Sequence, residues 1–264
     1  MLTYSGPGGM RIEDLGAGAR VVLVHGGGAG GADAWKAQLG LAEHFRLVIP
    51  TRLGYPGSPA ADREDFEVDA VLLAELLGDG AHLVGHSYGA VAAMLAAAAR
   101  PSAVLSLTVI DAASSGVARG HPAVDAYERD MQSLVASPPA DPSAFVRAVF
   151  AILDARAVLP DPLPPGLVAF GRRLPALRWP WEAEIPMDAL AAGGFPTLVI
   201  SGGRNPLYEV IADVLEARLG AERFVLADAG HSPANAGEAL TERLHRFLGG
   251  KGSGRAGRAA SSSS

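Results

Sequence analysis

Short, unbroken apolar runs alternate along this chain with stretches in which apolar residues recur at helical spacing. Residues 20–24, 46–49, 81–84, 104–110, 197–200 and 223–226 are runs of four to seven residues, rich in Val, Ile and Leu. Runs this short, with no polar alternation, fit central parallel strands buried on both faces. Helical periodicity fills the intervals at 32–43, 63–77, 88–99, 207–219 and 236–247. Strand–helix alternation predicts an α/β fold, a mostly parallel central sheet with helices on both faces. Ligands are then expected beyond the carboxyl ends of the strands.

The alternation breaks between residues 113 and 195. Helical periodicity persists there, at 123–135 and 144–155, but no strand pattern is present. Ten of the 19 prolines fall between Pro138 and Pro186, which breaks the segment into short pieces. The pattern predicts a core domain of residues 1–112 and 194–249, interrupted by a helical cap at 113–193. The tail from residue 250 to 264 is rich in Gly, Arg and Ser and cannot bury apolar surface, so it is expected to be disordered.

With 49% hydrophobic residues, 264 residues suffice for one large core. A formal charge of −6 argues against a nucleic-acid footprint, which needs a basic face. The absence of cysteine excludes disulfides, Cys-ligated zinc and a thiol nucleophile. The first ten residues show neither a basic n-region nor an apolar h-region, and the longest apolar stretch, 90–99, is too short to span a bilayer. A cytoplasmic location, with no membrane and no nucleic-acid partner, is the expectation. No His-x-x-x-His or carboxylate cluster suggests a metal, so no cofactor is expected.

The strongest local signal is Gly85-His86-Ser87-Tyr88-Gly89, placed between an apolar strand and an Ala-rich helix. A nucleophile on so tight a turn projects its Oγ upward from a strained backbone. Residues two before and two after must be small, and both are glycine. The helix that follows begins beside the nucleophile, so its positive end faces a developing oxyanion. That helix rises about 18 Å at 1.5 Å per residue. The strand after it climbs about 23 Å at 3.3 Å per residue. The chain thus returns to the same level and Asp111 emerges at the carboxyl end of the next strand.

Of seven histidines, His231 lies in a Gly-His-x-Pro loop after the last strand, where a general base reaches the serine hydroxyl. His25 and His86 lie near the same edge but are tied to their own turns, as structural neighbours. The acid is less sharply marked. Asp111 is favoured, with Asn205 and Asp228 as alternatives; Asp111 also suits an N-cap of whatever helix follows it. A neutral amide at Asn205 would orient the imidazole without stabilising its charged form.

Together these residues resemble the α/β-hydrolase family over roughly residues 20–247. The marks are His25-Gly26-Gly27-Gly28 after one strand, the Gly85–Gly89 turn after another, Gly230-His231 near the end, and Arg52-Leu53-Gly54-Tyr55 after the second core strand. The resemblance implies an oxyanion hole from the backbone N–H groups of Gly27 and Tyr88, with Gly28 next in line. It also marks a departure, because the family's usual acid position holds Asn205. A subset of the family, haloalkane dehalogenases included, carries the acid after the strand that follows the elbow helix, which is the place of Asp111. Dehalogenase chemistry itself is disfavoured, since those enzymes use Asp where Ser87 stands.

The expected reaction is hydrolysis of a carboxylic ester or lactone of a small, largely apolar substrate through an acyl-enzyme. Phe145, Phe150, Phe170, Trp179 and Trp181 are candidate cavity linings, though each is as readily plain core. Two other readings stand beside it. A non-catalytic or lyase-type member of the same family would bind a small ligand under the cap. A dinucleotide-binding reductase would use the G-x-G-x-x-G match at residues 26–31, but the acidic residue expected after the next strand is replaced by Arg52.

Overall fold

The structure, a computed structural model, describes residues 1–154, 157–231 and 236–250. The tail beyond Gly250, the last residue of the expected 144–155 helix and the Ser232-Pro233 end of the Gly-His-x-Pro loop lie outside the described residues.

The strands are β1 (Leu2–Ser5), β2 (Arg11–Leu15), β3 (Arg20–Val24), β4 (Arg46–Pro50), β5 (Ala81–His86), β6 (Val104–Ile110), β7 (Thr197–Ser201) and β8 (Glu222–Val225). They form one eight-stranded sheet in the order β1-β2-β4-β3-β5-β6-β7-β8. Strands β3 to β8 are mutually parallel; β1 and β2 form an antiparallel edge, with β2 also antiparallel to β4. This is the mostly parallel α/β sheet expected from the alternation.

The main helices are α1 (Gly31–Ala34), α2 (Phe66–Leu76), α3 (Tyr88–Ala99), α4 (Pro122–Ala136), α5 (Pro142–Leu153), α6 (Pro165–Arg173), α7 (Met187–Ala192), α8 (Pro206–Leu219) and α9 (Glu238–Gly249). Alternate residues of each central strand feed two cores. Val22, Val24, Leu83, Leu107 and Val109 pack with Phe66 and Leu73 of α2, Met94 of α3 and Ile211 and Leu215 of α8. Val21, Leu23, Leu47, Ile49, Val84 and Ile200 pack on the other face with Trp35, Leu41 and Leu240, Leu244 and Leu248 of α9. Each such side chain contributes about 1.5–3 kcal/mol of burial, which is why runs such as residues 21–24 and 47–49 carry no polar alternation.

Two elements differ from expectation. The 32–43 helix is a four-residue α1 followed by 3₁₀ turns over Lys36–Glu43. Gly31 has φ +57° and the Trp35 N–H bonds back three residues, to Ala32. The β1–β2 edge carries no apolar run to announce it: every residue of β1 is exposed, and Asp14 of β2 is held by Arg46 at 2.6 Å.

The proline-rich segment between β6 and β7 holds α4 to α7. The prolines explain themselves locally. Pro122, Pro142 and Pro165 occupy the first turn of α4, α5 and α6, where no N–H partner is lost. Side chains of Asp141 and His121 cap the first two of these.

The chain runs from β3 to β4 on one side, then crosses to β5 on the other. The loops after β3 and β5 therefore diverge and open a crevice at their carboxyl ends. Residues 25–28 and 86–88 stand at that crevice.

Candidate active site

Ser87 sits between β5 and α3 with φ +52° and ψ −119°, a conformation L-residues adopt only under constraint. The constraint is visible. Its N–H donates to the Ile110 carbonyl of β6 at 2.9 Å. A Cβ on Gly85 would lie 2.7 Å from the Cα of Ala90, and one on Gly89 would lie 2.4 Å from the His25 carbonyl oxygen. Both neighbours are backbone, so only glycine fits.

The Ser87 Oγ is 2.9 Å from Nε2 of His231. Nδ1 of the same ring faces Oδ2 of Asp111 at 3.5 Å. Ser87, His231 and Asp111 are 8%, 6% and 3% exposed, so this row of polar groups lies in a largely desolvated setting. Asp111 also has positive φ, at +40°. Its Oδ1 accepts the Gly202 N–H at 3.0 Å, which pins the carboxylate across the ends of β6 and β7 rather than at a helix start. With a hydroxyl donating to Nε2, the Nδ1 proton points at a carboxylate. At 3.5 Å the contact is electrostatic rather than a formed hydrogen bond.

Asn205 is elsewhere engaged. Its Oδ1 caps α8 through the Leu207 N–H at 2.9 Å, and its Nδ2 donates to the carbonyls of Ile152 and Leu153 at the end of α5. Asp228 is exposed in the turn after β8. Only Asp111 of the three candidate acids is placed against the imidazole.

The neighbouring histidines are held in place by their own hydrogen bonds, and those of His25 fit only a neutral ring. His25 Nε2 accepts the Arg52 N–H at 3.0 Å, leaving Nδ1–H for the Gly26 carbonyl at 2.8 Å. His86 Nε2 lies 3.0 Å from the His231 carbonyl, which can only accept, so His86 donates there. Burial, reinforced by the nearby His231, pushes the His86 imidazole down to about 4. Burial and the Arg52 charge hold His25 well below its ordinary value.

Tyr88 is the first residue of α3, so its N–H has no partner four residues back, and the residue lines the cavity at Ser87. Gly27 lines the same cavity as Ser87 and Tyr88, whereas Gly28 lines a separate polar cleft. The loop carrying Gly27 rests on Arg52, which is 0% exposed. Arg52 donates to the carbonyls of His25 (3.2 Å) and Gly26 (3.0 Å), and pairs with Glu64 and Asp69, both at 3.0 Å. Burial opposes that charge, but the surrounding acidic groups and Tyr55 hold the guanidinium well above its usual range. Tyr55 stacks at 4.8 Å and is itself pushed up to about 12 by burial.

The glycine run does not leave a diphosphate cradle. The N-terminus of α1 is filled by the Glu13 carboxylate, which accepts the Ala32 N–H at 2.7 Å. A Cβ on Gly27 would meet the Phe170 ring at 2.6 Å. Side chains thus occupy the places where a dinucleotide would lie.

Above Ser87 is a cavity of about 80 Å³, lined chiefly by apolar groups, among them Met131, Phe150, Phe170, Leu174 and Trp179. Of the five candidate aromatics, Phe150, Phe170 and Trp179 line it. Phe145 belongs to the core and Trp181 stacks on Trp179 at 5.0 Å. Among the described residues no cluster of His, Asp and Glu has the arrangement to hold a metal ion, and no helix is long and apolar enough to cross a membrane.

Residues 21–243 match the Alpha/beta hydrolase family. The chain belongs to that family. It is 32% identical over 235 residues to "Lipase LipV" of Mycobacterium tuberculosis, covering 81% of this chain and 86% of that protein. A pimeloyl-[acyl-carrier protein] methyl ester esterase of Methylococcus capsulatus is 39% identical over 106 residues, 39% of this chain and 40% of the esterase. Among solved structures, an alpha/beta hydrolase from Sphaerobacter thermophilus superimposes with a TM-score of 0.70 at 24% identity, over 94% of this chain and 100% of that one. Its relatives thus include esterases and a lipase.

Within this alpha/beta hydrolase, three groups around the cavity and the candidate base carry no sequence signal of their own. Tyr208 of α8 stacks on the His231 ring at 4.4 Å. Asp154, just past α5, places Oδ2 3.4 Å from both the His231 N–H and the Arg204 guanidinium. Glu64 binds both Arg52 and, from α6, Arg173 at 2.9 Å. These contacts join residues far apart in sequence with no local motif.

Proposed function

We propose that this chain is a serine hydrolase that cleaves a carboxylic ester or lactone of a small, largely apolar substrate through an acyl-enzyme. The observation that carries the proposal is the 2.9 Å approach of Ser87 Oγ to His231 Nε2 at the floor of an apolar cavity. Ser87 Oγ attacks the carbonyl carbon while His231 Nε2 takes its proton. Asp111 holds the Nδ1–H tautomer and stabilises the imidazolium. The N–H groups of Tyr88 and Gly27 receive the oxyanion. Collapse expels the alcohol, which leaves with the proton from Nε2, and water then repeats the sequence to release the acid. The segment from residue 113 to 193 serves as a cap whose apolar side chains select the acyl group.

The relatives named for ester cleavage support this reading at the level of the family, and the apolar lining supports the size and polarity assigned to the substrate. The test is hydrolysis of short-chain p-nitrophenyl esters by the wild type and Ser87→Ala. Turnover by the wild type and its loss in Ser87→Ala is the expected result. Equal, slow release of p-nitrophenol by both proteins overturns the reading and directs the search to lyase substrates or ligand binding.

A further inference from the structure

The Tyr208 hydroxyl lies 3.4 Å from His231 Nε2, the atom that already faces Ser87 Oγ at 2.9 Å. A neutral imidazole nitrogen offers one lone pair, and the serine hydroxyl uses it. The tyrosine ring lies parallel to the imidazole, at 12° between planes, so its O–H does not point along that lone pair. Tyr208 is 3% exposed and lines the same cavity as Ser87, Tyr88 and Gly27. A buried donor without a well-aligned acceptor, at the mouth of a catalytic pair, is costly unless a ligand completes it.

Tyr208 stands in the first turn of α8, behind the Asn205 cap, which also grips the carbonyls at the end of α5. Burial raises its phenol well above the ordinary value, so it stays protonated and available as a donor.

We propose that Tyr208 is a further catalytic residue that donates its hydroxyl proton in a hydrogen bond to the leaving-group oxygen of the ester, beside the Nε2–H of His231. The inference rests on the serine-hydrolase reading above. In the step concerned, the C–O bond of the tetrahedral intermediate breaks and its electron pair goes to the departing oxygen. His231 transfers the Nε2 proton to that oxygen, while Tyr208 keeps its own proton and stabilises the charge that develops before transfer is complete. The ligand class is an alkoxy leaving group: an aliphatic alcohol, or the ring oxygen of a lactone. An activated phenolate leaving group carries its charge unaided and has little use for the contact.

The experiment compares kcat/KM of wild type and Tyr208→Phe on ethyl butyrate and p-nitrophenyl butyrate, which share an acyl group. Phe keeps the ring against His231 and removes only the hydroxyl. The expected result is a fall of about 10²-fold on the ethyl ester, the scale of one transition-state donor, with the p-nitrophenyl ester changed less than about threefold. Inactivation of Ser87 by a p-nitrophenyl phosphonate, another phenolate leaving group, is expected to keep its wild-type rate. An equal fall on both esters, or none on either, overturns the proposal and leaves Tyr208 a packing partner of the imidazole. Those outcomes leave the parent reading intact, provided that wild-type activity depends on Ser87. Failure of the wild type on both esters instead overturns the parent reading and this one with it.

Discussion

The Asp111 carboxylate faces His231 Nδ1 at 3.5 Å from the end of β6, the strand beside the one that carries Ser87. Its other oxygen is bound by the Gly202 N–H. One oxygen therefore anchors the side chain and the other is left to the imidazole. If Asp111 supplies the charge, Asp111→Asn lowers kcat on a p-nitrophenyl ester by up to about 10⁴-fold with little change in fold. Asn205→Ala acts differently. It removes a helix cap and should cost about 1 kcal/mol of stability with chemistry largely kept. Steady-state kinetics beside urea unfolding separates the two. Loss of turnover in Asn205→Ala with wild-type activity in Asp111→Asn would reverse the assignment.

The elbow glycines make a sharper structural prediction. A Cβ at residue 89 has the carbonyl oxygens of His25 at 2.4 Å and Val24 at 2.7 Å as neighbours; Val24 ends β3 and the His25 carbonyl is held by Arg52. Gly89→Ala should destabilise by at least the roughly 1–3 kcal/mol typical of overpacking. Gly40→Ala is the control, because its added Cβ meets nothing within 4 Å. Denaturant midpoints of the two variants check this, and similar midpoints would mean the elbow relaxes more than its backbone contacts allow.

The elbow and the central strands were legible because both are local. Apolar runs such as residues 21–24 of β3 mark strands buried on both faces, and Gly85-x-Ser87-x-Gly89 marks a turn that tolerates no side chain. Asp111 was reachable by chain arithmetic, since one helix and one strand of matched rise return the chain to the elbow's level. Tyr208 was not reachable. It meets His231 only because tertiary packing brings the first turn of α8 against the loop after β8, and a single tyrosine after Asn-Pro-Leu carries no mark of that. The exposed β1 strand escaped for the opposite reason: it buries nothing, so it has no pattern to read.

Acid should unfold this protein through its histidines. Burial holds His25, His82 and His86 below their ordinary value of 6.5, His86 at about 4. The unfolded chain takes up these protons as pH falls through about 6.5, while the folded chain does not. The unfolded state then binds more protons, so the stability is fully present above about pH 6.5 and is lost as pH falls toward 4. Each group contributes a slope of up to about 1.4 kcal/mol per pH unit. Asp69, raised by its burial, works against them by taking a proton early in the folded state. His86→Gln, which keeps a donor for the His231 carbonyl, should flatten the dependence of unfolding free energy on pH between about 4 and 6.5. An unchanged slope would show that His86 titrates normally in the folded chain.

Arg52 carries the last prediction, because it links stability to the proposed oxyanion site. Its guanidinium binds the carbonyls of His25 and Gly26, on the chain just before the Gly27 amide, and neutralises Glu64 and Asp69 in the interior. Removing it leaves these two carboxylates unequally served. Arg173 still reaches Glu64, but Asp69 loses its charge partner. Breaking such a buried pair costs roughly 3–5 kcal/mol. Arg52→Met should therefore lower the urea midpoint and, in whatever remains folded, reduce kcat as the Gly27 amide loses its support. Arg52→Lys should rescue little, since one ammonium cannot span carbonyls and carboxylates held by a planar fork. Recovery of both stability and kcat by Lys would mean that the charge alone, not the fork geometry, supports the loop.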